Sequence, residues 1–278
     1  MYKFPIGAML ESFRMDTKSA IEKAAKIGVK GLQMYAANGA HTPENMTTEK
    51  CKELLSMLDA NGLKFSALCG DFGECFYDRE FNVGLIEKSK RVLDLAKELG
   101  TNIVTTHIGA ISDDKTCDAY KIQQEACAEL AEYADSIDAH FAIETGHETA
   151  LCLKEFLDSL GSTGVAVNFD PANLVMCVGD DPVQGVHYLK DYIVHTHAKD
   201  GIRFTAEKTP EYYGVTPKKG KNYLEVPLGT GLVPFDKYLA ALEEVGYRGF
   251  LTIERECGEN PAKDIETAFN HLNSVMNW

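Results

Sequence analysis

The feature that most constrains this chain is an eightfold alternation of short apolar runs with longer amphipathic ones. FPIGAML, GLQMYA, KFSALCG, NIVTTHIG, HFAIETG, VAVNFDP, YIVHTHAK and GFLTIERE begin near residues 4, 31, 64, 102, 140, 165, 192 and 249. Each is apolar or alternating and ends near Gly, Pro or a polar residue, as a strand does. Between them, and after the last, lie TKSAIEKAAKI, TTEKCKELLSMLDA, VGLIEKSKRVLDLAKEL, DAYKIQQEACAELAEYADSI, ETALCLKEFLDSL, DPVQGVHYLKDY, VPFDKYLAALEEV and PAKDIETAFNHLNSV. Their apolar residues recur every three or four positions, with Lys and Glu on the other face, which predicts eight helices. Eight strands each followed by a helix can close into a parallel barrel, and closure removes the edges an open sheet must protect. The expected fold is therefore α/β, a (β/α)8 TIM barrel, as a single domain over residues 1–278. A doubly wound open sheet is the alternative, but no GxGxxG phosphate loop follows an early strand.

One connection departs from the short-loop pattern. Residues 200–234 separate the seventh strand from its helix, far more than the few residues usual there. With too little apolar periodicity for a core of its own, this long loop after strand seven reads as a cover for an active site.

Composition narrows the function classes. With 42 acidic and 28 basic residues, the formal net charge of -14 argues against a broad nucleic-acid-binding surface. The N-terminus lacks the basic, apolar and small-residue order of a secretory signal, and no apolar stretch reaches membrane-spanning length. No membrane partner and a cytoplasmic location are expected. The eight cysteines, at 51, 69, 75, 117, 127, 152, 177 and 257, contain no CxxC pair and read as reduced thiols.

In such a barrel, reactive groups gather at the C-terminal ends of the strands. Four strong metal ligands stand there: Glu144 in AIETG, Asp170 in VNFDP, His197 in VHTHAKD and Glu254 in LTIERE. Three carboxylates and one imidazole suit one hard or borderline divalent ion, best Mn, with Mg, Co or Zn as alternatives. A carboxylate that follows HFAI or FLTI approaches desolvating surroundings and needs a cation or partner to stay charged. Taken singly, each is also an ordinary salt-bridging group.

Other side chains join on weaker grounds. His107, which ends VTTH, is read as a hydrogen-bond donor to substrate or as a structural loop residue. His195 shares the barrel-facing side with His197 by strand periodicity and is expected to support the metal site or substrate. Lys199 is placed near anionic or hydroxyl-rich substrate groups, or paired with Asp200, itself read as a salt-bridging partner. Tyr35 and Phe72 are expected in an apolar wall, and the run Gly229 to Gly231 turns a loop towards substrate. His41, His140, His147, His187 and His271 carry no such signal.

The segments IETGHET, NFDPANL, HTHAKDG, PLGTGLVPF and GYRGFLTIERE, with all eight repeats, resemble the xylose isomerase-like TIM-barrel superfamily. The likeness is strongest to its sugar-phosphate isomerase/epimerase branch and the ketose 3-epimerases. The resemblance implies one divalent metal on Glu144, Asp170, His197 and Glu254, the same four residues. It also implies substrate contacts at Arg203, six residues after the metal-binding His, and at the position three after the metal-binding Asp. That position is commonly His in the ketose 3-epimerases and is Asn173 here. A second substrate-contacting Glu is expected six residues beyond Glu144, where this chain has Ala150, with Glu148 as the nearest substitute.

These residues together imply a metal-dependent sugar or sugar-phosphate isomerase/epimerase, an enzyme acting through proton abstraction and a metal-stabilised enediolate. Glu144 and Glu254 would be the catalytic acid and base, acting on a small carbohydrate. The alternatives are a dehydratase or lyase of a keto-polyol using the same proton abstraction, and a noncatalytic barrel. An abasic-site endonuclease would use a richer multi-zinc cluster than this chain assembles. A homo-oligomer is expected from the family likeness.

Overall fold

In the computed structural model, which describes residues 2–277, eight parallel strands close into a barrel. They are β1 (Ile6–Met9), β2 (Gly31–Tyr35), β3 (Lys64–Cys69), β4 (Ile103–Thr106), β5 (His140–Glu144), β6 (Val165–Phe169), β7 (Ile193–Ala198) and β10 (Leu251–Ile253). Neighbours around the ring follow the chain from β1 to β7, after which β10 joins β7 to β1. The strands read as near-continuous apolar runs because helices cover their outer faces while the barrel interior covers the other.

The outer layer consists of α1 (Thr17–Ile27), α2 (Thr48–Ala60), α3 (Arg79–Glu98), α4 (Asp118–Ser136), α5 (Ala150–Leu160), α7 (Pro182–Leu189), α9 (Phe235–Glu244) and α10 (Pro261–Met276). All eight anticipated strand and helix pairs are present. The third helix starts four residues before the expected one, where Asp78 caps the amides of Glu80 and Phe81. Its polar first turn has no apolar rhythm to announce it. The fifth starts two residues later than expected because the Thr149 hydroxyl accepts from the Cys152 amide as its N-cap. Inward faces such as Leu153, Phe156 and Leu157 of α5 are fully buried.

Two segments carry structure that periodicity did not announce. Residues 200–234 are not a structureless cover: β8 (Asp200–Arg203) pairs antiparallel with β9 (Tyr223–Val226), and a short α8 (Pro210–Tyr213) lies between them. Four-residue strands are too short to show an alternation. After β6, α6 (Pro171–Asn173) runs into a π-helical turn at Leu174–Val178, which the β8–β9 ribbon packs against.

The barrel wall is irregular at two places that matter below. One extra residue, Ser66 in β3 and Val194 in β7, interrupts the register opposite Gln33 and Asn168. Such bulges re-aim neighbouring side chains.

The α4–β6 contact is close enough that a Cβ on Gly164 would collide with the Ala131 carbonyl oxygen. Gly164→Ala is therefore expected to cost about 1–3 kcal/mol by overpacking. A lowered urea midpoint with an unchanged slope would bear this out, and an unchanged midpoint would refute the close contact.

Candidate metal and substrate site

Four consecutive strands of the ring, β5, β6, β7 and β10, bring Glu144, Asp170, His197 and Glu254 to one end of the barrel. One ligand atom from each lies within 4.8 Å of the others, and all four residues are buried. The His197 Nδ1 stands 3.2 Å from Glu254 Oε2, 3.5 Å from Glu144 Oε2 and 3.7 Å from Asp170 Oδ2.

Each ligand is held by a neighbouring side chain or amide, and in Asp170 and His197 this leaves one donor atom without a partner. The Asp170 Oδ1 caps the short helix after β6, accepting from the amides of Ala172 and Asn173 at 2.7 and 3.0 Å. Its Oδ2 is buried with no hydrogen-bond partner. The Gln33 amide nitrogen donates to Thr105 Oγ1 at 2.8 Å, so its carbonyl oxygen faces His197 Nε2 at 3.0 Å. Nε2 donates to that oxygen, so in the neutral ring Nδ1, also buried and unpartnered, is the nitrogen with the lone pair. Glu144 accepts from Asn168 at 3.0 Å and Asn173 at 2.8 Å, one on each oxygen. Glu254 Oε2 accepts from Lys199 Nζ at 2.9 Å.

The electrostatics call for a cation. Burial pulls the His197 imidazole down, but the Glu254 and Glu144 carboxylates outweigh it and hold the ring well above its ordinary value. Burial would raise Glu254, yet the charges of His197 and Lys199 hold it well below the carboxylate range. Lys199, also buried, is held charged by Glu254 and Asp170 against its desolvation. Two orphaned donor atoms at the centre of three carboxylates fit a divalent ion, whose charge replaces that of a proton on His197.

A cavity of ≈160 Å³ opens over the cluster, walled by Gln33, Tyr35, Asp71, His107, Asn173, Lys199 and Tyr223 among others. His107 Nδ1 donates to Asp71 Oδ2 at 2.9 Å, and Nε2 lies 3.7 Å from Glu144 Oε1. Burial disfavours charge on this ring, but Glu144 and Asp71 outweigh that and push it up to about 9.

Not every anticipated residue reaches the cavity. His195 lies beneath it: Nδ1 donates to Asn168 Oδ1 and Nε2 accepts from Thr252 Oγ1, both at 2.9 Å. Burial and the neighbouring His197 charge hold it neutral. It thus orients Asn168 and packs edge-on against His197, without itself lining the cavity. Arg203 is spent on the carbonyls of Met176 and Cys177, at 2.7 and 2.6 Å, tying the ribbon to the π-helical turn instead of meeting the cavity. Among the described residues Asp200 makes no salt bridge; it accepts from the amides of Gly201, Gly229, Gly231 and Val233. The Gly229 to Gly231 run therefore wraps Asp200 and does not turn towards the cavity. Lys199 pairs with Glu254 and Glu256, not Asp200. Glu148 is buried against the Ile111 amide, off the cavity wall, and desolvation pushes it up to about 7. Tyr35 lines the cavity, whereas Phe72 sits beneath Lys88.

Sequence reasoning missed Gln33, Asp71, His147, Asn168, Tyr223 and Glu256, all of which either wall the cavity or hold a ligand. Gln33 and Asn168 had a signal, a lone amide within an apolar strand. The others lie in connections or in the ribbon, where no period marks them.

The chain belongs to the xylose isomerase-like TIM-barrel family, whose sequence model matches residues 21–275. A crystal structure of a xylose isomerase domain protein from Planctomyces limnophilus superposes with a TM-score of 0.80 at 24% identity, covering 98% of this chain and 96% of that one. The probable 3-DHS dehydratase AsbF from Bacillus anthracis superposes with a TM-score of 0.77 at 18% identity, covering 97% and 99%. An inosose dehydratase of Lacticaseibacillus casei is 26% identical over 141 residues, 50% of this chain and 47% of the relative. The chain thus spans about half the length of the curated relatives it matches.

Gln33→Ala removes the acceptor that fixes the His197 tautomer and is expected to weaken Mn binding by about 10–100-fold, measured by calorimetry. In metal-free protein, an NMR titration should find His107 changing charge near pH 9. Because its folded value lies above the ordinary 6.5, its contribution to stability is complete below pH 6.5 and is lost as pH rises through about 9. Asp71→Asn should move that midpoint down; a wild-type midpoint at or below 6.5 would overturn the ion-pair reading.

Proposed function

We propose that this protein is a divalent-metal-dependent isomerase or epimerase of a small sugar. The observation that carries this reading is the buried four-ligand cluster with two orphaned donor atoms beneath a polar cavity. Three carboxylates and one imidazole favour Mn, and they also accommodate Mg, Co or Zn. A bound ion would act as a Lewis acid on a sugar carbonyl and its adjacent hydroxyl, acidifying the hydrogen on the intervening carbon.

The chain's own residues then divide the work. Lys199 donates to Glu254 Oε2, which favours the ionised carboxylate and leaves Oε1 to take the proton. Glu144 stands three strands round the ring, each oxygen near an asparagine amide; starting as the carboxylic acid, it would give its proton from the other side and end ionised as Glu254 ends protonated. Return to the opposite face of the same carbon gives an epimer; return to the former carbonyl carbon, with the hydroxyl proton passing from its oxygen to the former carbonyl oxygen, gives the aldose–ketose isomer. His107, Asn173 and Lys199, on the cavity wall, orient the hydroxyls. His195 and Arg203 support this arrangement from behind the wall.

A dehydratase is the second reading, favoured by the likeness to an inosose dehydratase and to a probable 3-DHS dehydratase. The same proton abstraction would be followed by loss of a β-hydroxyl, which leaves as water with a proton from His107 on the cavity wall.

Both readings require carbon-bound proton exchange. Incubating the Mn-loaded enzyme with free and phosphorylated ketoses and aldoses in D₂O is expected to place deuterium on the carbon beside the carbonyl. Glu254→Gln should slow this by about 10²–10⁴-fold. A stereoisomer or aldose–ketose partner supports the first reading and an unsaturated product the second; no exchange with any sugar, with metal bound, would reject both.

A further inference from the structure

Beside the metal cavity lies a second chamber that shares Asn173, Cys177, Lys199, Tyr223 and Glu256 with it. Its remaining charged lining is Lys218, Lys221 and Glu225. The carboxylates here already have partners: Glu225 is bound by Arg255 and Glu256 by Lys199. Lys218 and Lys221 form no ion pair among the described residues, in a chain where acidic residues outnumber basic ones 42 to 28.

The backbone sets the two lysines side by side. The Lys221 amide donates to the Lys218 carbonyl at 3.0 Å, and Gly220 between them has φ of +79°. This is a four-residue turn that needs a glycine at its third position and brings its first and last residues close together. The Lys221 ammonium lies 5.3 Å from the ring centroid of Tyr223, a residue on the wall of the metal cavity. Tyr223 is thus common to the walls of the metal cavity and of a chamber with two unneutralised ammonium groups.

We propose that Lys218 and Lys221 form a subsite for an anionic substituent of the substrate, a phosphate ester or a carboxylate. The substrate class is then a charged sugar derivative and not a neutral ketose. The chemistry of catalysis rests on the reading above, whereas the anion site can be tested without it.

The first probe is inorganic phosphate, with acetate in parallel, titrated into metal-stripped protein at low and at physiological salt. Phosphate or acetate should bind, more weakly at the higher salt. The exposed double variant Lys218→Gln/Lys221→Gln should weaken binding about tenfold or more, the scale of one lost charge-assisted hydrogen bond. Lys218→Arg/Lys221→Arg should retain it. Binding of phosphate alone assigns a phosphate ester and binding of acetate alone a carboxylate. In the Mn-loaded enzyme, the ratio of kcat/KM for the charged sugar over its neutral counterpart should fall about tenfold in the glutamine variant. Anion binding equal in wild type and variant, or no binding at all, overturns the subsite. Lysine-dependent binding with no proton exchange on any sugar leaves the subsite standing and removes the enolisation reading instead.

Discussion

Three carboxylates converging on one buried imidazole form the constraint on which the rest of the site depends. Two like charges about 4 Å apart repel by about 4 kcal/mol at an effective dielectric of 20, so Glu144, Asp170 and Glu254 cannot all stay ionised without compensation. Lys199 supplies part of it, its ammonium 2.9 Å from Glu254, and without a metal ion a protonated His197 supplies more from 3.2 Å. The unpartnered Asp170 Oδ2 and His197 Nδ1 mark where a divalent cation supplies the remainder.

That arrangement is imposed by neighbours that are not ligands. Asn168 gives its amide nitrogen to Glu144 and its oxygen to His195, and His195 is closed from below by Thr252. Gln33 is fixed by Thr105 and in turn fixes His197. The extra residues Ser66 and Val194 stand in the strands facing Gln33 and Asn168, so the barrel gives up regular pairing beside the groups that aim the cluster.

The β8–β9 ribbon ties the cavity's rim to the same strands. Asp200 gathers three amides of the 229–233 turn and that of its neighbour Gly201, while Arg255, next to Glu254, binds Glu225 on β9 and Asp264 on α10. Lys199 reaches both Glu254 and Glu256. Glu254 therefore stands in a segment braced from the ribbon on one side and the last helix on the other, and Tyr223 of the ribbon faces the cavity.

The eight strands, the eight helices and the closed parallel fold were legible in the sequence, since a two-sided buried strand and an amphipathic helix each leave a local period. The four candidate ligands were legible for a related reason: Glu144, Asp170 and Glu254 each directly follow an apolar run, and His197 stands in the last residues of another strand, where a barrel gathers its reactive groups. Gln33 and Asn168 left only an interruption in such a run, and nothing in that interruption says which ligand they hold. Asp71, Tyr223, Glu256 and the Lys218–Lys221 turn lie outside any period, and Arg203, six residues from His197, points instead to two backbone carbonyls. Only the tertiary structure decided these, because hydrogen-bond partners across a barrel are chosen by distance in space. A residue's own sequence neighbours determine its local conformation but carry no information about which distant strand or turn will stand opposite it.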